Sequence, residues 1–341
     1  MGKADPARKL TRVHLAAGVV ALWCAAAPAV TRAQAPLTLE IRADNDAFNF
    51  WQPAPKRPDE EYTSGVRAAL QLTGAAPWER WLHPGITRCA AGVSPCATHT
   101  YAFGQDIYTG QLVPGDTTPV KGTRPNAGWL FVQESSRIER SRRLDETSVT
   151  VGITGPPALG EVMQSFVHGI DPQDNRPINW NTELPFEPGV VLAWDHTERL
   201  LAVGDGKLFG ADFEPHGGAS LGNILTEARA GLRVRTGFRM QHPWLPAAVD
   251  TADTTPGISF FADATMHAVA RNEFLVGTMF RSSPGVDERP FVPEYQVGAT
   301  FRLEQVSISW VAHQLSSEYF SRTEGHAWSR IEFVYRFART P

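Results

Sequence analysis

A stretch near the C-terminus, Trp328-Ser-Arg-Ile-Glu-Phe-Val-Tyr-Arg-Phe337, decides the fold. Aliphatic and aromatic residues alternate along it with charged ones, and this period of two is that of a β-strand with two different faces. It ends in an aromatic residue close to the end of the sequence. Strands of membrane barrels have this length and alternation, with aromatic residues at the membrane interfaces. The stretch therefore indicates a strand between lipid and a polar lumen.

Three segments upstream repeat the pattern, at residues 228–236, 295–303 and 306–312. Their apolar faces include small residues such as alanine, which suit contact with lipid, and two of their polar faces carry arginine, which suits a polar lumen. A soluble β-sandwich also alternates, but it buries a bulky apolar face inside. The sequence therefore predicts an all-β protein, a transmembrane antiparallel β-barrel, with a soluble sandwich as the alternative.

The same alternation along the whole chain gives twelve candidate strands, an even number, as the barrel of a single bacterial chain requires. They lie near 37–46, 62–73, 99–109, 127–139, 146–154, 190–202, 206–213, 226–237, 258–270, 294–303, 305–314 and 328–337. Four long connections fall in the first half, at 49–61, 77–98, 110–124 and 155–189. Long loops of such barrels cluster on the outer side and carry function, so we expect a site there.

The N-terminus predicts export from the cytoplasm. A basic segment precedes an apolar run at 13–30, and small residues follow, which is the pattern of a secretory signal peptide. Cleavage after Ala33 makes 1–33 the signal and 34–341 the barrel domain, and cleavage after Ala35 is the alternative. The whole chain carries a net charge of −4 and its first 33 residues hold five basic and one acidic residue, so the mature chain carries about −8. This charge argues against a nucleic-acid partner.

One stretch breaks the β pattern, Gly155-Pro-Pro-Ala-Leu-Gly-Glu-Val-Met-Gln-Ser-Phe-Val-His168. Its apolar residues recur at helical spacing, and its two prolines suit the first turn of a helix. Gln164 and His168 are four residues apart, so they share one edge of the helix, and that edge is not the apolar one. We expect a short helix in an extracellular loop whose polar edge takes part in chemistry. A surface helix with a solvated histidine is the alternative.

Three further polar motifs occur at strand boundaries. Asp44-Asn45-Asp46 ends the first strand with three oxygen donors, which suit either a turn or a hard cation such as calcium. Tyr62-Thr63-Ser64-Gly65 opens the second strand, and Thr123-Arg124-Pro-Asn-Ala-Gly-Trp129 opens the fourth. The last motif also fits interface packing with an arginine that extends toward water.

Six short motifs follow one another, most densely between residues 37 and 170. They are Asn45-Asp46, Tyr62-Thr-x-Gly65, Phe103-Gly-Gln-x-Ile-Tyr-Thr109, Arg124-Pro-x-Ala-Gly-Trp129, Gly152-x-x-Gly-Pro156 and Gln164-x-x-x-His168. In this order they resemble the outer-membrane lipid A deacylase family, the LpxR-like proteins, and Ser317-Glu318-Tyr319 resembles a late element of that family. The resemblance implies a twelve-stranded barrel that removes the 3′-acyloxyacyl chain of lipid A.

The resemblance also implies roles for single residues. The implied site residues are Asn45, Thr63 and His168 for catalysis, Arg124 and Gln164 for substrate binding, and Asp46 as a calcium ligand. An acidic residue follows the histidine in the family, and Asp171, Asp174 and Glu183 compete for that position here. Ser64 and Asn126 stand where the family usually has Asn and Tyr, which puts the pocket shape and the substrate preference in question.

These residue types suit ester hydrolysis by an activated water. A histidine such as His168 can act as general base, and calcium can polarise the ester carbonyl. Arg124 is expected to meet a lipid A phosphate. We therefore expect a calcium-dependent lipid A 3′-O-deacylase, a monomer in the cell outer membrane that acts on lipopolysaccharide near the outer leaflet. The alternatives are an outer-membrane phospholipase that pairs Ser64 with a histidine, and a barrel without enzymatic activity.

Overall fold

The computed structural model describes residues 36–50, 60–76, 78, 86–88, 94–170, 179–204, 208–240, 242–244 and 255–337. The predicted signal peptide lies outside the described residues, as do Asp171 and Asp174. Across the described ranges, no helix has the length and apolar character needed to cross a membrane.

The described chain is mostly β-strand. Its strands are β1 (Pro36–Asn45), β2 (Glu61–Thr73), β3 (Thr87–Arg88), β4 (Cys96–Thr109), β5 (Ala127–Glu139), β6 (Arg143–Thr154), β7 (Pro188–Glu198), β8 (Leu201–Val203), β9 (Phe209–Gly222), β10 (Leu225–Phe238), β11 (Gly257–Asn272), β12 (Phe291–Leu303), β13 (Val306–Leu315) and β14 (His326–Arg336). The α-helices are α1 (Gly160–Ile170) and α2 (Glu273–Val276), and 3-10 turns lie at Asp46–Phe48 and Pro156–Ala158.

Twelve of these strands close into one antiparallel barrel, which leaves out only the short β3 and β8. Each long strand pairs with its neighbours in the sequence, and β1 pairs with β14 from Thr38 opposite Arg336 to Asn45 opposite Ser329. This closure confirms the predicted twelve-stranded barrel. It excludes the soluble sandwich, because one continuous ring of strands takes the place of two packed sheets.

Two predicted strand boundaries are wrong. The predicted strand at 206–213 is β9, which runs from Phe209 to Gly222, and the predicted strand at 190–202 covers β7 and part of β8. The motif Pro215-His-Gly-Gly218 has the composition of a turn, but β10 pairs across all of it. Pairing with neighbouring strands therefore overrides the local turn preference of these residues.

The two faces of the barrel wall differ as predicted. The outer face is apolar, and Leu232 and Val234 of β10 stay about half exposed there. The luminal face carries the charges, which are paired between strands. The luminal pairs of β10 are Arg229 with Asp195 at 2.5 Å, Arg233 with Asp263 at 3.0 Å and Arg235 with Asp212 at 2.6 Å. Ion pairs in the lumen and apolar side chains outside are what a barrel in a membrane requires.

The long connections do not all lie at one end of the barrel. The chain enters at β1 and leaves at β14 on one side, which we call the terminal end, and the opposite side is the loop end. Because neighbouring strands are antiparallel, the connections 49–61, 110–124 and 155–189 lie at the loop end. The connection 77–98 joins β2 to β4 and so lies at the terminal end, contrary to the expectation that all four cluster together. Two later connections, 273–290 and 316–325, also lie at the loop end.

Candidate active site

A β-bulge in β2 brings two predicted site residues to the same face of the wall. Asn45 lies on the outer face, because it is in phase with Leu39 and Ile41, which are exposed there. Simple alternation from the exposed Val66 would place Thr63 in the lumen. The register of β2 against β4 shifts between Tyr62 and Ser64, and a bulge of this kind re-aims one side chain. The Thr63 hydroxyl therefore reaches the outer face.

Three hydrogen bonds fix this arrangement. The Asn45 side-chain amide donates to the carbonyl oxygen of Thr63 at 3.2 Å, and its oxygen accepts from the backbone N–H of Ala47 at 2.7 Å. The Thr63 hydroxyl shares a hydrogen bond of 2.5 Å with the hydroxyl of Thr109 on β4. Both threonines are buried, although the outer face of a barrel normally meets lipid. Something other than lipid therefore covers this part of the wall.

On the neighbouring part of the wall, α1 and the turn before it pack on the outer face of β4 and β5. The Gln105 side chain on β4 donates a hydrogen bond to the carbonyl oxygen of Ala158. Gly128 on β5 leaves room for the backbone of Gly160, since a Cβ atom there would lie 3.0 Å from the Gly160 nitrogen. A glycine suits this close approach, because a Cβ atom would push the two backbones apart by a few tenths of an ångström.

The polar edge of α1 faces the wall. Gln164 and His168 are both buried, as is Gly160 on the same edge. The indole N–H of Trp180 donates to the Gln164 side-chain oxygen at 2.7 Å. The short helix with Gln164 and His168 on one edge is thus present as predicted, and the alternative of a solvated histidine does not hold. We call Asn45, Asp46, Thr63, Gln164 and His168 the wall site.

Asp46 supplies the carboxylate of the wall site. It begins the 3-10 turn after β1, is buried, and follows Asn45, whose side chain caps the same turn. Within the described ranges, no group of three His, Cys, Asp or Glu side chains could hold a metal ion. Calcium also takes amide, hydroxyl, carbonyl and water oxygens. Asp46, Asn45 and Thr63 carry carboxylate, amide and hydroxyl oxygens, which are hard donors, so these residue types fit calcium and do not fit a soft transition metal.

Arg124 lies on the other side of the wall. Its guanidinium stacks over the luminal ring of Tyr108, 4.7 Å from the centroid, and binds the carboxylates of Glu61 at 3.2 Å and Glu318 at 3.0 Å. The carboxylates of Glu318 and Glu61 raise the pKa of Arg124 by more than its burial lowers it. The structure therefore places Asn45 and Thr63 together on the outer face of the wall, and Gln164 and His168 together on the buried edge of α1, which packs on the outer face of β4 and β5. Arg124 lies in the mouth of the barrel.

Sequence reasoning missed the residues around Arg124. Glu61 is fully buried and also accepts from the Tyr319 hydroxyl at 2.7 Å and from Arg322 at 2.9 Å. We call Glu61, Arg124, Glu318, Tyr319 and Arg322 the mouth cluster. Burial raises the pKa of Glu318, and burial beside Glu61 raises the pKa of Tyr319 to about 12. The pair Glu60-Glu61 at a strand start was a signal in the sequence, but its partners lie up to 262 positions away.

Of the three acidic residues proposed to follow His168, Glu183 is described. Its backbone forms an isolated β-bridge with Asn126, just before β5, and its N–H donates to the carbonyl oxygen of Trp180. Glu183 therefore belongs to the same segment as Trp180, whose indole binds Gln164. Asp171 and Asp174 lie outside the described residues. Ser64, the alternative nucleophile, lies opposite Asn45 in the register of β1 and β2.

A closed barrel with an apolar outer face and a covered polar site on that face defines a class of protein, the transmembrane β-barrels of bacterial outer membranes. The sequence model of the outer membrane protein LpxR matches residues 15–337. The chain therefore belongs to the LpxR family and is located in the outer membrane.

A solved structure supports the fold. LpxR from Salmonella typhimurium is similar with a TM-score of 0.69 and 20% identity, over 88% of this chain and 100% of that one. The β domain of the Bordetella autotransporter Brka has a TM-score of 0.41 and 9% identity, over 89% of this chain and 100% of that one. The translocator domain of NalP from Neisseria meningitidis has a TM-score of 0.35 and 11% identity, over 95% and 97%. Comparison with curated proteins finds no match.

Proposed function

We propose that this chain is a calcium-dependent lipid A 3′-O-deacylase that hydrolyses the ester of the 3′-acyloxyacyl chain with a water activated by His168. The observation that carries the proposal is the place of the wall site. Gln164 and His168 on α1 and Thr63 on β2 are buried on the outer side of the barrel wall, where lipid lies, and Asn45 is partly buried there and hydrogen-bonded to Thr63. A polar site on that side meets a membrane lipid, and the LpxR family supplies the class of lipid.

In this proposal each residue of the wall site has a chemical task. His168 takes the proton from the attacking water as general base and later passes it to the leaving alcohol of the sugar. Asn45 and Thr63, which are linked by a hydrogen bond, orient that water. Gln164 positions the substrate, because Trp180 holds its side-chain oxygen. Asp46 would hold the calcium ion with neighbouring oxygens, and the bound ion would stabilise negative charge on the ester oxygen.

Arg124 as a phosphate ligand stays a prediction. Its buried guanidinium is engaged by two carboxylates inside the barrel mouth, so its position favours a role in holding the loop end together. Glu183 or an acidic residue at 171 or 174 remains a proposal for the acid that follows His168. We propose that the chain acts as a monomer.

The test uses purified protein in detergent with hexa-acylated lipid A as substrate and mass spectrometry of the products. We expect loss of one acyloxyacyl unit with calcium, no loss after EDTA treatment, and recovery when calcium is restored. Ser64→Ala is expected to keep its activity, because the nucleophile is water. An active enzyme in EDTA would overturn the role of calcium. An inactive Ser64→Ala variant that still folds would favour the phospholipase-like serine mechanism, and release of fatty acid from phospholipid alone would change the substrate class.

A further inference from the structure

The helix α1 has an unusual distribution of residues over its surface. Residues four apart share an edge, so the helix presents four rows. Gln164 and His168 form the buried row against the wall, and Glu161 and Ser165 form an exposed polar row. The two remaining rows are apolar and outward-facing. Their exposed members are Val162 at 38%, Phe166 at 62% and Val167 at 39%. This helix buries polar side chains and exposes apolar ones.

The apolar rows lie beside the outer wall of the barrel. The turn before α1 accepts the hydrogen bond from Gln105, and Gln105 pairs with Val66 in the register of β2 and β4. Val66 is an outer-face residue with 46% of its surface exposed, so it faces lipid. The apolar outer-face residues that contact lipid form a belt around the barrel. The start of α1 therefore lies next to this belt, one strand away from Val66.

The belt is interrupted where α1 packs. On one side of the helix, β1 and β2 expose Leu39, Ile41 and Val66, and on the other side β6 and β7 expose Val151, Val190 and Leu192. Between them, the outer-face residues of β4 and β5 near the loop end are buried, as Ile107 at 1% and Leu130 at 9% show. Because α1 covers these residues, its exposed apolar rows occupy the gap in the belt.

We propose that Val162, Phe166 and Val167 are immersed in the acyl chains of the outer-leaflet lipids. The helix would then lie in the plane of the interface, with its apolar rows about 5–10 Å deep and with Glu161 and Ser165 toward the headgroups and water. The occupant of the exposed face is lipid, because the face continues a surface that is already in contact with lipid. This inference rests on the outer-membrane location and not on the proposed chemistry. It implies that the wall site beneath α1 opens sideways to the leaflet.

The experiment places a nitroxide spin label on α1 in the full-length barrel, reconstituted in phosphatidylcholine vesicles without lipid A. The labelled variants are Phe166→Cys on the apolar row and Ser165→Cys on the polar row of the same helix. Cys96 is disulfide-bonded and does not take the label. Leu192→Cys on β7 gives the value for a residue in lipid. Collision rates with oxygen, which enters lipid, and with a water-soluble nickel chelate measure immersion, and heat-modifiable gel migration shows that each barrel has folded.

We expect a ratio of oxygen to nickel collisions at Phe166 that equals the Leu192 value and exceeds the Ser165 value several-fold. Equal, water-like ratios at Phe166 and Ser165 would overturn the inference. Protection of Phe166 from both reagents would also overturn it, because the face would then be covered by protein, such as a second copy. If Phe166 were shielded only after lipid A is added, the face would be a substrate-binding surface, and the proposed immersion in bulk lipid would be wrong.

Discussion

At the loop end, the two sides of the barrel wall both carry buried polar side chains, but of different kinds. On the luminal side, the mouth cluster pairs each charge with an opposite one, since Glu61 meets Arg124 and Arg322, and Arg124 meets Glu318. On the outer side, the wall site places amide, hydroxyl and imidazole groups where a barrel normally has aliphatic ones. Reciprocal ion pairs between distant segments hold a structure together. Burying polar groups on the outer side of the wall costs stability unless they are hydrogen-bonded, and their presence there points to function.

Removing the central charge of the mouth cluster tests the luminal side, and we expect the largest stability effect there. In Arg124→Ala, the buried carboxylates of Glu61 and Glu318 lose their shared partner, which costs about 3–5 kcal/mol for a broken buried pair. Urea unfolding of the barrel in detergent, followed by tryptophan fluorescence, measures the loss. The matched control is Arg143→Ala, which removes an exposed pair with Glu198 at 2.8 Å and should cost about 0–1 kcal/mol. Equal losses of unfolding free energy in the two variants would show that the mouth cluster does not stabilise the barrel more than an exposed ion pair does.

Crowding the contact between α1 and the wall tests the outer side. A side chain in Gly128→Val would press on the backbone of Gly160, so α1 must move away from β5. Overpacking of this size costs about 1–3 kcal/mol, and we expect deacylation to fall by about tenfold or more while the barrel still folds. Gly169→Val is the control, because a Cβ atom there has no neighbour within 4 Å among the described atoms. Full activity of Gly128→Val would contradict the requirement for close packing of α1.

The smallest effect is expected from Trp180→Phe, which keeps an aromatic ring but removes the N–H that holds Gln164. Loss of one hydrogen bond costs about 0.5–1.5 kcal/mol, and we expect this mainly as a higher KM, since Gln164 positions the substrate. Trp244→Phe is closely matched, because the Trp244 indole donates to the carbonyl oxygen of Arg140 at the same 2.7 Å distance, but at the terminal end. A similar change in KM for both variants would point to a general effect on the barrel rather than on the wall site.

Some features of the two sides of the wall could be predicted from the sequence and others could not. Alternation over ten residues is a local property, so it predicted the barrel, and helical spacing predicted α1 with Gln164 and His168 together. The side of the wall on which Thr63 lies was not predictable by alternation, because the bulge after Tyr62 changes the phase of β2. The position of Arg124 depends on Glu318, 194 residues away, and no local pattern contains that contact.

The central claim is that the chemistry takes place on the outer side of the wall, at His168. The most direct test compares His168→Gln with His313→Gln, a buried histidine that hydrogen-bonds Glu294 on the luminal side. Lipid A from cells that express each variant is analysed by mass spectrometry, with heat-modifiable migration as the folding control. We predict that the 3′-deacylation rate falls by about 10²–10⁴-fold in His168→Gln, which is the usual contribution of a general base. We predict that His313→Gln keeps the wild-type rate. Retained deacylation in a folded His168→Gln barrel would contradict the account.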